Sequence, residues 1–452
     1  MKCAAQRRLM PLNTPHIGPA SISNDRMVIL FMVMLVAAAG NTAMQSILPS
    51  IGTELGVPDV WVVAAFSWSA LLWVITAPYW ARLSDRRGRR TLMAVGVTGF
   101  AASMGLCGVV LYGGLHGWIG AGVTFILFAL FRSLYGGFGS AAPPAVQAYV
   151  AARTDASERT KAMSLLSSSF GLGTVIGPAV APYLIFPVLG LAGPLLSFML
   201  VGIAVLIGLR LILPDDTPRY EAKGLVPSYP GGSAAAVNPA EDSNDDAMDD
   251  AALSAESATT PPLQWGDIRV KPWMIAGLIG GHAQAVLIGV VGFYILDQLH
   301  FRGDAAGGAQ AIGIVMMAGA VATLVAQWGL IPMLNPSPRA NVIWGGILAA
   351  GGTALVAQSH TLHSIMVGYS LASLGFGLYR PGFTAGASLA VSRGEQGAVA
   401  GMVASINGAA YIIAPAIGVW LYNQHESWLF GGLVALCVLL AVWAKGALKV
   451  AR

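Results

Sequence analysis

Long apolar stretches alternate with short polar ones along almost the whole chain. They fall at about 27–48, 59–80, 91–112, 119–149, 161–184, 193–213, 272–296, 308–333, 340–358, 362–389, 397–421 and 427–445. Runs of roughly 20 apolar residues are long enough to cross a bilayer as helices. Each is read as a helix, because an open strand edge has no partner for its backbone in lipid. Trp61 and Trp80 stand at the two ends of the second stretch. At 1.5 Å per residue they lie about 28 Å apart, close to the thickness of a bilayer core, and read as interface anchors.

The polar breaks orient the chain. Between the second and third stretches lies Ala81-Arg82-Leu83-Ser84-Asp85-Arg86-Arg87-Gly88-Arg89-Arg90, a tight basic hairpin. Arg26, Arg153, Arg159, Lys161, Arg210, Arg339, Arg393 and Lys445 fall on its side of the membrane, and Arg302 is the one basic residue in the loops on the other side. Loops rich in arginine and lysine stay on the cytoplasmic side. The expectation is therefore a multi-pass protein of the bacterial inner membrane with both termini cytoplasmic.

From Pro214 to about Asp267 the chain turns polar and carries Glu241, Asp242, Asp245, Asp246, Asp249 and Asp250. Low hydrophobicity with clustered acids predicts disorder. The expected organisation is a cytoplasmic tail (1–26), a six-helix bundle (27–213), an acidic linker (214–271), a second six-helix bundle (272–445) and a short tail (446–452). The linker reads as a tether between bundles, with a docking or regulatory arm as the other reading.

Composition agrees with the pattern. Of 452 residues 56% are hydrophobic and 10% charged, against about 25% charged in soluble domains. The net charge of +4 reflects loop arginines and lysines, so no nucleic-acid partner is expected. Cys3, Cys107 and Cys437 are far apart and give neither a disulfide framework nor a metal site. No Gly-x-x-x-x-Gly-Lys-Ser/Thr loop and no hydrolytic grouping stands out, so no cofactor, ATP or enzymatic activity is expected. A channel finds no support in any filter-like repeat.

The chain repeats itself. A shift of 237 residues lays 132–184 on 369–421, with Pro144 on Pro381, Glu158 on Glu395, Gly171 on Gly408 and Pro178-Ala179 on Pro415-Ala416. Asp155-x-x-Glu158 and Ser392-x-x-Glu395 both have the form of a capping box. Asn335 to Arg339 takes the place in the second half that Asp85 to Arg89 holds in the first. Two related six-helix halves imply a transporter whose halves rock about a midplane site.

Twelve spans in two halves with this hairpin resemble the major facilitator superfamily over about residues 27 to 445. The family pattern G-x-L-a-D-r-x-G-r-[kr] is met by Leu83, Asp85, Arg86, Gly88, Arg89 and Arg90, with Ala81 in place of the first glycine. The resemblance implies that Asp85 closes the cytoplasmic side against the start of the eleventh span. Two more segments are similar to the twelve-span drug:proton antiporters, which include the tetracycline exporters. They are Arg132-Ser133-Leu134-Tyr135-Gly136-Gly137 in the fourth span and Gly173-x-x-x-Gly177-Pro178 in the fifth. That resemblance implies export against protons. Read from the residues alone, the second segment is equally a close-packed, bent helix.

Within the spans no carboxylate lies midway, so the polar residues carry the expected chemistry. Asn41 and Gln45 share one face of the first helix. His282 lies about 15 Å inside the seventh span and titrates near neutral pH, with Asp297 at the outer mouth as the reserve proton site. The alternative for His282 is a neutral hydrogen bond between helices. Arg132 and Arg380 are charges within spans four and ten, expected to face the bundle interior; Arg132 suits an anionic substrate, and Arg380 could instead snorkel. Gln284, Asn407 and Tyr411 complete a cavity lining, each with a packing hydrogen bond as the alternative. The sequence thus predicts an all-α monomeric carrier that exports a small, partly apolar organic molecule, coupled to protons. An importer or facilitator of a metabolite or siderophore-like compound, and a non-transporting membrane sensor or scaffold, are the competing readings.

Overall fold

The computed structural model describes residues 22–151, 153–154, 156–214, 263–392 and 395–448. Twelve long helical segments occupy the twelve expected stretches. Helices 1 to 3 are Asn24–Glu54, Asp59–Arg87 and Arg89–Leu115. Helix 4 runs Ala121–Phe138, tightens through a 3-10 turn at Gly139–Ala141 beside Pro143 and Pro144, and resumes as Ala142–Ala151. Helices 5 and 6 are Ala156–Val180 and Gly193–Ile212, and helix 7 is Lys271–Gln298. Helix 8 runs Ala305–Leu324, widens to a π segment at Val325–Leu330 and ends as Ile331–Leu334. Helices 9 to 12 are Pro338–Ala357, Leu362–Leu389, Gln396–Gln424 and Glu426–Ala447. The acidic stretch at 215–262 lies outside the described residues.

Among the described residues, ten of the segments are long and apolar enough to cross a membrane on their own. Helix 10, which carries Arg380 and several serines, glycines and tyrosines, packs on helices 7, 8 and 9, and helix 5 packs on helices 1 and 8. Large apolar side chains such as Val109, Ile126, Leu130, Leu200 and Leu211 are exposed instead of buried, as the lipid-facing side of a bundle requires.

The Gly173-x-x-x-Gly177 pattern works as a contact surface. A Cβ on Gly173 would lie 2.5 Å from the Leu35 carbonyl and 2.8 Å from the Ala38 methyl, and one on Gly177 would run into Thr42, the Ala39 carbonyl and Ala43. Helices 1 and 5 therefore meet backbone to backbone, the packing small residues permit in membranes. Gly88 turns the basic hairpin alone, ending helix 2 and starting helix 3 at φ 90°, a conformation side chains other than hydrogen rarely adopt.

The sequence repeat has a physical counterpart. At the start of helix 3, Arg90 Nη2 donates to the Arg210 carbonyl at the end of helix 6 (2.6 Å). At the start of helix 9, Arg339 donates to the Lys445 and Ala444 carbonyls at the end of helix 12 (2.5 and 3.3 Å). Each guanidinium meets the negative, unpaired end of a helix. Trp61 is exposed as an interface anchor should be. Trp80 is half-buried at the hairpin end, and its indole N–H donates to the Gly137 carbonyl, tying helix 2 to helix 4.

The halves touch where helix 2 packs on helix 11 and helix 5 on helix 8. Gly408 rests on Val74, and Gly313 lies against the Pro178 carbonyl.

Candidate functional site

Helices 1, 2, 7, 8 and 11 surround a cavity of about 60 Å³ lined by Gln45, Phe66, Phe293, Met316, Tyr411 and Pro415 among others. A second cavity of about 80 Å³ is lined by Thr42, Gln45, Gln284, Tyr369, Ser373 and Phe376 among others. Gln45 belongs to both. The structure thus brings together Gln45, Gln284, Tyr411, Pro415 and Pro178, from both halves. Pockets for drug-sized ligands measure about 300–1,000 Å³, so in this conformation neither cavity holds such a molecule.

Arg132 is wholly buried beside these cavities. Its Nη2 donates to the Asn41 side-chain oxygen, and the guanidinium lies 5.1 Å from the ring centre of Phe66, a cavity wall, and 4.5 Å from that of Tyr135. Such ring contacts contribute about 0.5–2 kcal/mol each. Nε and Nη1 find no hydrogen-bond partner among the described residues. Arg380 is 2% exposed, so it does not snorkel. Its two terminal nitrogens also lack a hydrogen-bond partner among the described residues. At 100° per residue it shares a helix face with Tyr369, Ser373 and Phe376, the face that lines the larger cavity. Burying a charged group that is incompletely hydrogen-bonded is costly. Asn407 is 7% exposed and lines neither cavity, one turn before Tyr411.

His282 lines neither cavity. It lies two positions before Gln284, a rotation of about 200° that carries it to the opposite side of helix 7. Its Nδ1 pairs with the Leu278 carbonyl of its own helix at 2.7 Å, and Leu278 is an exposed apolar residue.

Asp297 belongs to a charged cluster at the end of the bundle away from the basic hairpin. Arg302 Nε donates to Asp297 Oδ1 (2.7 Å) and Nη2 to Oδ2 (3.1 Å). The same guanidinium grips Asp59 of the first half through Nη1–Oδ1 and Nη2–Oδ2, both 2.8 Å, and takes Thr53 Oγ1 at 3.1 Å. Tyr422 donates its hydroxyl to Asp297 Oδ2 at 2.8 Å. Bidentate pairs of this kind are the strong ones, and the hydrogen bonds Arg302 donates to Asp59 push its pKa up, with Asp297 adding to it. Asp59 also sits in the first turn of helix 2, where a negative charge meets the positive helix end. One arginine therefore latches the two halves together. In the sequence Arg302 stands out only as the one basic residue in the loops of its side, and the signal for the latch is that Asp59 and Asp297 share that side.

At the hairpin end, Arg269 forms two hydrogen bonds to Glu395 (2.9 and 2.7 Å) and holds Asp267 as well (2.7 Å). Glu395 Oε2 accepts from the Ser392 backbone N–H (3.0 Å) and hydroxyl (2.9 Å). Half of the expected capping box is present: the glutamate reaches back, but the serine donates to it instead of capping the helix. Of the hairpin motif, Leu83 packs against the core and Arg89 is buried. The side chains of Asp85, Arg86 and Glu158 lie outside the described residues.

The sequence profile of the Major Facilitator Superfamily matches residues 30–415. The chain is 27% identical over 201 residues to a probable actinorhodin transporter of Streptomyces coelicolor, covering 43% of this chain and 32% of that protein. It is 24% identical over 419 residues to the multidrug efflux pump LfrA of Mycolicibacterium smegmatis, covering 83% of this chain and 78% of the pump. The first-named relative is thus matched over only about a third of its length. The crystal structure of the human organic anion transporter MFSD10 superposes with a TM-score of 0.58 at 17% identity, covering 94% of this chain and all of that one. That likeness is one of fold.

Proposed function

Because the chain belongs to the major facilitator superfamily, a family of membrane transporters, we propose that it exports a small, partly apolar organic compound across the bacterial inner membrane, with protons as the coupling ion. The carrying observation is the latch. Arg302 binds carboxylates of both halves at one end, above two midplane cavities too small for the cargo. Substrate must therefore enter by parting of the halves, and the latch decides which end parts. The basic hairpin marks the cytoplasmic side, so the latched end faces outward. The likeness to the actinorhodin transporter and to LfrA supports export.

Proton coupling is assigned to the latch. A proton on Asp297 or Asp59 would neutralise a carboxylate that accepts two bonds from Arg302 and so would loosen the outer closure. His282, bonded within its own helix, has no such lever. The buried guanidinium groups of Arg132 and Arg380 favour a substrate that carries a negative group beside its apolar body.

Inside-out vesicles or proteoliposomes with and without an imposed pH gradient test the reading. Gradient-dependent accumulation supports antiport, and flux that ignores the gradient replaces it with the facilitator. His282→Gln is expected to keep gradient-driven transport and Asp297→Asn to lose it; the reverse outcome returns the proton site to His282.

A further inference from the structure

A cavity far larger than the midplane pair lies outside the transport path. It measures about 630 Å³ and opens on the flank of the first half, between helices 3, 4 and 6. Its walls are Ala94, Val95, Thr98, Ala102, Leu134 and Phe138, and at one end stand Arg90 and Arg210. Among the described residues no carboxylate lines it.

Its shape follows from the packing. Gly99 lets helix 3 settle against Phe138 Cβ, where an added methyl would come to 2.5 Å, and this close contact forms the floor. Arg90 caps the carbonyl end of helix 6, which brings the starts and ends of two helices to one level and sets two guanidinium groups at the mouth. The Arg210 side chain is exposed. From Arg90 to Ala102 the groove runs along helix 3 for about 18 Å at 1.5 Å per residue. A bilayer core is about 30 Å thick, so the groove is roughly one leaflet deep. It begins at the interface, where Arg90 starts its helix, and ends near the midplane.

We propose that this groove binds an anionic phospholipid of the leaflet at the hairpin end, with an acyl chain along Ala94, Thr98, Ala102 and Phe138 and the phosphate between Arg90 and Arg210. An apolar trough of one-leaflet length with positive charge at its headgroup end matches both parts of such a lipid. Basic groups at that level attract anionic lipid. The site stands apart from the transport reading, and its test reads binding alone.

The test uses the full-length protein in detergent and in nanodiscs. Native mass spectrometry counts bound lipid, and thermal unfolding reports stabilisation. Phosphatidylglycerol is expected to bind at least fivefold tighter than phosphatidylcholine of the same chains and to raise the unfolding temperature more. Arg210→Gln should remove that preference. Thr98→Trp should fill the trough and cut retained lipid by more than half, with the lipid-free unfolding temperature unchanged. Equal binding of the two lipids, or a wild-type preference in Arg210→Gln, overturns the proposal. Full competition by glycerol phosphate, which has no acyl chain, would also overturn it, leaving an anion site without a lipid. Should Thr98→Trp fail to fold, Ala102→Phe provides the same obstruction deeper in the groove, and unchanged lipid retention there counts against the trough.

Discussion

Glu395 carries the clearest pH dependence. Arg269 and the Ser392 backbone hold its carboxyl down to about 2, from an ordinary 4.5. A carboxylate whose folded pKa is depressed stabilises above the unfolded pKa and loses that contribution as pH falls through the folded one. The wild type should therefore unfold at a higher temperature than Glu395→Gln at pH 7. The gap should narrow below about pH 4.5 and close near pH 2. A gap that persists unchanged at pH 2 would show that charge is not its source. Arg132 is the matching residue inside the bilayer. Arg132→Gln should weaken substrate affinity by about tenfold, or about 1.4 kcal/mol, measured by equilibrium binding on purified protein. Unchanged affinity would confine Arg132 to packing over Phe66 and Tyr135.

At the level of the helices, the hydrophobic pattern carried most of the architecture. Apolar runs fixed the number and order of the segments because lipid demands apolar length. Helix 10, with Arg380 within it, packs on helices 7, 8 and 9 and so needs less of that apolar surface. Gln45, Gln284 and Tyr411 were legible because polar groups within a span must face protein or a cavity. His282 was less so, since its i−4 carbonyl satisfies a ring nitrogen without any help from the bundle. The latch was hidden for a different reason: Asp59 and Arg302 are 243 residues apart in the chain, and no local period links them. Helix 5 gives a direct test of packing. Gly177→Leu should collide with the Ala39 and Ala43 backbone and destabilise by about 1–3 kcal/mol, the usual overpacking cost. Chemical denaturation in detergent measures it, and a neutral result would mean that helices 1 and 5 separate freely.

For the molecule as a whole, the account rests on one claim: Arg302 holds the two halves together at the end opposite the basic hairpin, and releasing it opens that end. Removing one partner of a fully buried pair costs about 3–5 kcal/mol. Arg302 is about a third exposed, so solvent screening reduces this to about 1–2 kcal/mol, enough to raise a minor open population about five- to thirtyfold. Spin labels at Glu54→Cys on helix 1 and Ala306→Cys on helix 8 straddle the latch, and double electron–electron resonance in proteoliposomes reads the distance between them. The wild type should give one short-distance population, and Asp59→Asn should add a longer one that grows at the expense of the first. Identical distance distributions in the two proteins would contradict the latch and, with it, the route of opening proposed here.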